Sequence, residues 1–431
     1  MKILSLTAGA GRMYCGSCLH DNALAAELKR QGHDVILLPL YTPTRTDEQN
    51  VSERRVFFGG ISVYLEERFP LFRKLPGFLD VLWDRPSVIA SFAGRGVAVD
   101  PKLLGELTVS ILQGEGGHQF KEIAKLAEWL RHETPPEVVT LPYTLLIALA
   151  APLKKVTGRP VVCSLQGEEL FLDGLREPWR SEALRLIRRQ VEHVEAFLAV
   201  SRYAADSMSS RLGIGRDKIR VVPLGINLNG HSRKAARSGG VFRVGYLGRV
   251  APEKGLRLLA EAYRILRHER GLKNAKLVAA GYLPPEHRPY LKEIEARLKE
   301  WRLAGEFEYL GEVDREGKIA FLQSLDVFSC PCTYDEPKGL PVLEAMANGV
   351  PVVQPRRGSF PEMIEECRGG LLVDPDSAES LADGIERIWK EPELAESLSK
   401  RGYEDVHALR GIAEEARRVV AAYEEILALA G

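Results

Sequence analysis

Residues 326–355 read DVFSCPCTYDEPKGLPVLEAMANGVPVVQP, and the fold turns on how they are parsed. The first and last seven residues are short apolar runs that close on proline or cysteine turns, the pattern of strands buried on both faces. Between them Pro341 suits the first position of a helix, and Asn348-Gly349 supplies the glycine that ends one. Strand, loop, helix and strand in that order make one unit of a parallel sheet. The same stretch carries Glu336 in the loop and Glu344, eight positions on, expected in the first helical turn. Two carboxylates so placed have three readings: an acid/base pair for hydrolysis, two grips on one ligand, or ordinary charge on a helix surface.

Working outward, the pattern repeats on both sides. KILSLTA at the start is a buried strand, LHDNALAAELKRQG an amphipathic helix, and HDVILLPLY the next strand. PEVVTLPY, RPVVCSLQG, VEAFLAVS and IRVVPLGI continue the series. It restarts with FRVGYLGRV, AKLVAAGYL, FEYLGEV, DVFSCPC, GVPVVQP and GGLLVDP. Between the two series lies NGHSRKAARSGG, residues 229–240, polar and glycine-bearing, read as a linker. The expectation is α/β: two doubly wound domains facing each other across a cleft, residues 1–228 and 241–405. The amphipathic stretch within 406–431 is expected to pack back on the first domain. Ligands in such sheets bind at the carboxyl ends of strands, so functional residues belong in strand-to-helix loops.

Composition narrows the partners. The 431 residues hold 59 Lys+Arg and 59 Asp+Glu. A net charge of zero gives no global field toward nucleic acid or an anionic membrane, so any polyanion site is local. No run is apolar enough for a membrane span, and the start is too short for a signal sequence, which points to the cytoplasm. Six cysteines in so long a chain do not form a disulfide scaffold.

In GYLGRVAPEKG, Arg249 and Lys254 follow a strand and are expected to converge on one anion, with Gly248 and Gly255 allowing close approach. Gly339 and Leu340 offer backbone N–H groups at the positive end of the next helix, a second cradle for phosphate.

With VVPLGIN before and GGLLVDPDSAESLADGI after, these motifs resemble the retaining glycosyltransferases of family 4, which have the GT-B fold of two Rossmann-like domains. The resemblance spans nearly the whole chain, most firmly residues 190–390. It implies that Arg249 and Lys254 hold the diphosphate of a nucleotide sugar. Glu336 would sit beside the transferred sugar, and Glu344 would take the ribose hydroxyls. The two carboxylates are then two grips on one donor and not an acid/base pair. The resemblance makes the first domain the acceptor side and places Gly16 at the helix N-terminus facing the diphosphate. No cofactor or metal is implied, since cations and helix dipoles neutralise the leaving group.

The chain departs from the family at two points. Cys15 stands where many members have a glycine; with Cys18 and His20 it suggests a metal or redox site, but a single CxxC lacks a second ligand pair, so packed or acceptor-facing thiols are expected. Gln166 stands where many have a histidine, followed by Glu168, which leaves the donor sugar open. Gln166, Glu168 and His118 are assigned to the acceptor side. DPD, residues 374–376, reads as a helix cap. The segment 68–83, with aromatics among Arg and Lys, reads as packed helix, a lid, or a peripheral membrane contact. The acceptor is a carbohydrate, lipid or small molecule, and the oligomeric state stays open.

The rival readings are a phosphorylase or epimerase on the same fold, a nucleotide-sugar binder without turnover, and an NAD-dependent oxidoreductase. The last is disfavoured because the first loop is not G-x-G-x-x-G and the second strand ends without an acidic residue.

Overall fold

The structure, a computed structural model, describes residues 1–9, 16–58, 101–233 and 240–430; the segment 68–83 and Cys15 lie outside them. The chain forms two compact units, residues 1–223 with 415–431, and residues 224–414.

Among the described residues the first unit is built on six strands, β1 (Lys2–Thr7), β2 (Asp34–Pro39), β3 (Val138–Leu141), β4 (Val161–Leu165), β5 (Ala196–Ala199) and β6 (Ile219–Val221). Their order is β2-β1-β3-β4-β5-β6 and every pairing is parallel. The central strands β3, β4 and β5 are buried almost without alternation, as strands covered on both faces must be. One cover is the helix Gly16–Arg30; another is the helix Ile412–Ala430. Ala416, Val419, Ala422, Tyr423 and Ile426 of that last helix share an apolar cluster with Ile3, Leu28, Val35 and Leu198.

The second unit repeats the plan with β7 (Phe242–Leu247), β8 (Ala275–Ala280), β9 (Phe307–Tyr309), β10 (Val327–Phe328), β11 (Val352–Pro355) and β12 (Gly370–Val373), in the order β12-β11-β10-β7-β8-β9, again all parallel. Its helix Leu256–His268 buries Leu256, Leu259, Ala260, Tyr263 and Leu266 at three- and four-residue spacing, which fixes the face turned to the sheet. Among the described residues no helix is long and apolar enough to cross a membrane.

The strand order locates the site. Starting from β7, the chain adds β8 and β9 on one side and then returns to add β10, β11 and β12 on the other. At such a reversal the loops leaving two neighbouring strands diverge and open a crevice at their carboxyl ends. In this sheet the neighbours are β7 and β10, with Val327 opposite Val244. In the first sheet they are β1 and β3.

Candidate active site

The loops leaving β7 and β10 carry Arg249, Lys254, Tyr334 and Glu336. After β7 the chain passes through a short turn, Pro252–Lys254, into the helix Leu256–His268. Gly255 makes that joint. It has φ +80°, and a Cβ there would meet the Pro331 carbonyl oxygen at 1.9 Å, so no other residue lets the two loops approach so closely. The Thr333 N–H donates to the Glu253 carbonyl at 2.9 Å across the same junction.

Glu336 is fixed at both its backbone and its side chain. Its carbonyl accepts from the Ser359 N–H at 2.8 Å and from Ser359 Oγ at 2.9 Å. A Cβ on Gly358 would lie 2.5 Å from the Glu336 backbone, so that glycine too answers to close approach. The carboxylate is buried. Oε1 accepts from the Lys338 N–H at 3.1 Å, and Oε2 accepts from Lys254 Nζ at 2.5 Å and from the Tyr334 hydroxyl. Lys254 Nζ also donates to Tyr334 Oη at 2.6 Å, which closes a triangle of cation, phenol and carboxylate. Cys330 and Cys332 line it, their Sγ atoms 3.9 Å apart, with Cys332 Sγ 3.9 Å from Glu336 Oε2.

The electrostatics of this triangle decide among the readings of the two glutamates. Burial by itself pushes the Glu336 carboxyl up. The Lys254 ammonium, with the hydrogen bonds from Lys254 and Tyr334, outweighs it and holds the group at about 2. Burial likewise lowers Lys254, but the Glu336 charge carries it well above the ordinary lysine value. Tyr334 is driven upward by burial and then by Glu336. At neutral pH the triangle is therefore an ammonium, a neutral phenol and a carboxylate. A carboxyl held near 2 gives up no proton in catalysis there and is a poor base, so Glu336 is not half of an acid/base pair. Its permanent negative charge remains available.

Arg249 is about half exposed and is ion-paired with Glu253. Each of the two cations thus has its own carboxylate in this structure, Arg249 with Glu253 and Lys254 with Glu336. Gly339, with φ +64°, caps the helix Leu340–Ala347. Because that helix starts at Leu340, Glu344 is its fifth residue and lies in the second turn, not the first as its sequence position suggested. A helical side chain leans toward the N-terminus, so it still points back along the helix. Its Oε1 meets Lys318 Nζ at 2.7 Å. At the far end Gly349, with φ +69°, completes the C-terminal turn.

In the first unit Gly16 is the exposed first residue of its helix. Gln166 and Glu168 lie beyond β4, at the carboxyl edge of the sheet, but both are buried and bound to their surroundings. Gln166 Nε2 donates to the Pro142 carbonyl at 2.6 Å. Glu168 accepts from the Thr144 N–H at 3.0 Å and Oγ1 at 2.9 Å, and from the Gln166 N–H at 3.0 Å. They stitch the loop after β4 to the loop after β3. His118 stands just before the helix Phe120–His132, its N–H on Ser110 Oγ. Cys18 is packed, and His20 Nε2 meets both oxygens of Glu415 at 2.8 and 2.9 Å. Of the residues that suggested a metal site, Cys18 is therefore a buried thiol and His20 ties the helix Gly16–Arg30 to the helix Ile412–Ala430. Among the described residues no group of three or more His, Cys, Asp or Glu is arranged to hold a metal ion. Of the DPD segment, Asp376 pairs with Arg357, and the helix cap is the next residue, Ser377, accepting from the Ser380 N–H at 3.1 Å.

Sequence reading missed Tyr334, Lys318 and the thiol pair. Tyr334 had a signal, for it is two residues before Glu336, and alternate residues of an extended segment share a side. Lys318 had none, since its approach to Glu344 depends on how two helices pack.

Comparison with known proteins agrees with this geometry. The family model for glycosyl transferases group 1 matches residues 231–405, and that for Glycosyltransferase Family 4 matches residues 105–229. A GDP-mannose-dependent α-(1-6)-phosphatidylinositol monomannoside mannosyltransferase of Mycobacterium tuberculosis is 27% identical over 363 residues, covering 75% of this chain and 89% of its own. Among solved structures, a sucrose-phosphate synthase from Thermosynechococcus elongatus superposes with a TM-score of 0.71 at 18% identity, covering 99% of both chains. Anabaena HepE, solved with UDP, superposes with a TM-score of 0.68 at 16% identity, covering 99% of this chain and 100% of its own. The two sheets, the site at the second switch point and these matches define a GT-B glycosyltransferase. The chain belongs to the group 1, family 4 glycosyltransferases and is an enzyme that uses a nucleotide sugar.

Proposed function

We propose that the enzyme transfers a hexosyl group from a nucleoside-diphosphate sugar with retention of anomeric configuration and without a metal ion. The observation that carries this reading is the Lys254–Tyr334–Glu336 triangle, set where β7 and β10 part. Two of the three Lys254 ammonium hydrogens go to Tyr334 and Glu336, and the third is directed to a phosphate oxygen of the donor. Arg249 exchanges Glu253 for the same diphosphate, and the N–H groups around Gly248, Gly339 and Leu340 complete its coordination on this unit. Glu344 takes the ribose hydroxyls.

As the bond from the sugar C1 to the phosphate oxygen breaks, positive charge grows on the ring and negative charge on the departing diphosphate. Glu336 stabilises the first, and Lys254 and Arg249 the second. The acceptor hydroxyl attacks C1 on the face that the diphosphate leaves, and its proton passes to the leaving phosphate oxygen. Fixed charge does the work of a metal, because the cations already balance the leaving group. The acceptor belongs to the first unit and is a carbohydrate, lipid or small molecule; the M. tuberculosis relative acts on a phosphatidylinositol mannoside.

Thermal shift with UDP, GDP and ADP, then with their sugars, identifies the donor. A ligand at about 100 times its dissociation constant adds roughly 2.7 kcal/mol of stability. Turnover of that donor, followed by NMR of the anomeric proton with and without EDTA, tests the rest. Inverted product, or activity lost on chelation and restored by a divalent ion, would overturn the proposal. Sugar phosphate formed from a glycoside and inorganic phosphate would make the enzyme a phosphorylase.

A further inference from the structure

The helix Arg315–Gln323 stands beside the helix that carries Glu344, and several contacts hold it in register. Asp314 caps it, accepting from the Gly317 N–H at 2.8 Å. Arg315 donates to the carbonyls of Asn227 and Asn229, at 3.0 and 2.8 Å. Gln323 donates to Asn348 Oδ1 at 3.3 Å, and Asn348 Nδ2 donates to the Glu344 carbonyl at 2.9 Å while meeting His231 Nδ1 at 2.8 Å. The two helices are thus tied at the far end, and at the near end Lys318 Nζ sits 2.7 Å from Glu344 Oε1. Both side chains are largely buried, at 13% and 15% exposure, so this is not one of the solvated surface pairs that contribute little.

A carboxylate that must accept two hydrogen bonds from a vicinal diol needs a fixed plane. Glu344 stands on a helix and retains rotamer freedom along its chain. A cation on one oxygen removes that freedom and leaves the other oxygen, with the remaining lone pair of the first, to face the ligand. We propose that Lys318 is a positioning residue: it holds the Glu344 carboxylate in the orientation that reads the 2′,3′-diol of the donor's ribose, and so sets the enzyme's preference for ribonucleotides over 2′-deoxyribonucleotides. The proposal rests on the assignment of Glu344 to ribose made above.

The test measures dissociation constants by calorimetry for whichever of UDP or GDP binds more tightly, against its 2′-deoxy counterpart. Wild type, Lys318→Met, Lys318→Gln, Lys318→Arg and Glu344→Gln are compared, with melting temperatures recorded to confirm folding. In the wild type the ribonucleotide binds more tightly. Glu344→Gln is expected to abolish most of that preference, and Lys318→Met to reduce it about tenfold. Lys318→Gln should fall between, and Lys318→Arg should restore most of it. In the Glu344→Gln background Lys318→Met should cost nothing further, as coupled residues require. Steady-state kinetics of Lys318→Met should show a raised donor KM and an unchanged kcat.

A structural role alone would weaken both nucleotides equally and leave their ratio as in the wild type. That result for Lys318→Met, with the ratio collapsed in Glu344→Gln, would overturn this inference and leave the ribose assignment standing. A wild-type ratio in Glu344→Gln would overturn the ribose assignment itself. Should Lys318→Met fail to fold, Lys318→Gln carries the comparison, since it keeps a donor and removes only the charge.

Discussion

The two units each bury a carboxylate against a cation, and the two pairs do different work. In the second unit Lys254 and Glu336 meet in loops at the carboxyl ends of β7 and β10, where the strand order reverses. In the first, His20 and Glu415 meet between the helices Gly16–Arg30 and Ile412–Ala430, with Asp21 Oδ1 3.9 Å from His20 Nδ1 and Asp21 Oδ2 accepting from Thr7 Oγ1 at 2.7 Å. Asp21 and Glu415 carry His20 above its ordinary value despite burial, as Glu336 is carried below its own. Perturbed titration therefore does not by itself separate a catalytic pair from a structural one. Position in the topology does: one pair lies in the loops where the strand order reverses, and the other, beside a cavity that His20 and Glu415 help to line, ties together two helices far apart in sequence.

The comparison breaks first if that tie is not structural. His20→Ala removes the imidazole that meets both oxygens of the buried Glu415 carboxylate, and removing one member of a buried pair costs on the order of 3–5 kcal/mol. A fall in melting temperature with kcat unchanged at low temperature is expected. A normal melting temperature with lost turnover would place His20 in the chemistry instead.

The two pairs should also fail at opposite ends of the pH scale. Burial lowers His20, but Glu415 and Asp21 raise it from 6.5 to about 9 in the folded protein. Its contribution is full below about pH 6.5 and is lost as pH rises through about 9. Glu336 runs the other way, from 4.5 to about 2: its contribution is full above about pH 4.5 and is lost as pH falls toward 2. Each amounts to roughly 3 kcal/mol at 1.36 kcal/mol per tenfold change in proton affinity. Calorimetric unfolding of the wild type, His20→Gln and Glu336→Gln across that range should flatten the alkaline limb in the first variant and the acid limb in the second. An unchanged limb in either variant would remove that residue from the account.

Turnover sharpens the contrast from the other side. Glu336→Ala should lower kcat on the order of 100-fold, about 2.7 kcal/mol, because its charge helps most where positive charge develops on the sugar. Glu344→Ala should chiefly raise donor KM, since ribose is held equally in ground and transition states. Equal kcat losses with unchanged KM would return both glutamates to the acid/base reading.

How much of this the sequence discloses follows from how local each feature is. The strands of the described residues are legible, because most are short apolar runs bounded by turns. So are Lys254 and Glu336, whose motifs lie within single strand-to-helix loops. His20 misled because the signal for its role, Glu415, is 395 residues away. With that partner unseen, a histidine near two cysteines reads as a ligand. Gln166 and Glu168 were legible as residues of a carboxyl-edge loop, but not their engagement with Pro142 and Thr144, which depends on β3 and β4 lying side by side. The thiols of Cys330 and Cys332 meet across a tight turn in which the Cys332 N–H donates to the Cys330 carbonyl at 2.8 Å, which a spacing of two does not disclose.

The smallest effect concerns Arg249, whose partner shows what the diphosphate must displace. Lys254 is nearly buried and shares its carboxylate with a phenol, whereas Arg249 is about half exposed and its partner Glu253 is four residues away in the same loop. An exposed pair of that kind contributes little, so exchanging it for a diphosphate costs little. Arg249→Ala should then weaken the nucleoside diphosphate by roughly tenfold, the low end of a charge-assisted contact, and leave the nucleoside unaffected. Glu253→Gln should act in the opposite direction and tighten the diphosphate several-fold, because it removes the competing carboxylate while keeping the side chain's length. Raising salt should shrink the Arg249 effect more than the corresponding loss in Lys254→Ala, since screening reaches exposed charges first. Calorimetry with both ligands at two ionic strengths decides the matter: equal losses for nucleoside and diphosphate in Arg249→Ala would put this arginine outside the donor site, and weaker diphosphate binding in Glu253→Gln would make Glu253 its support and not its competitor.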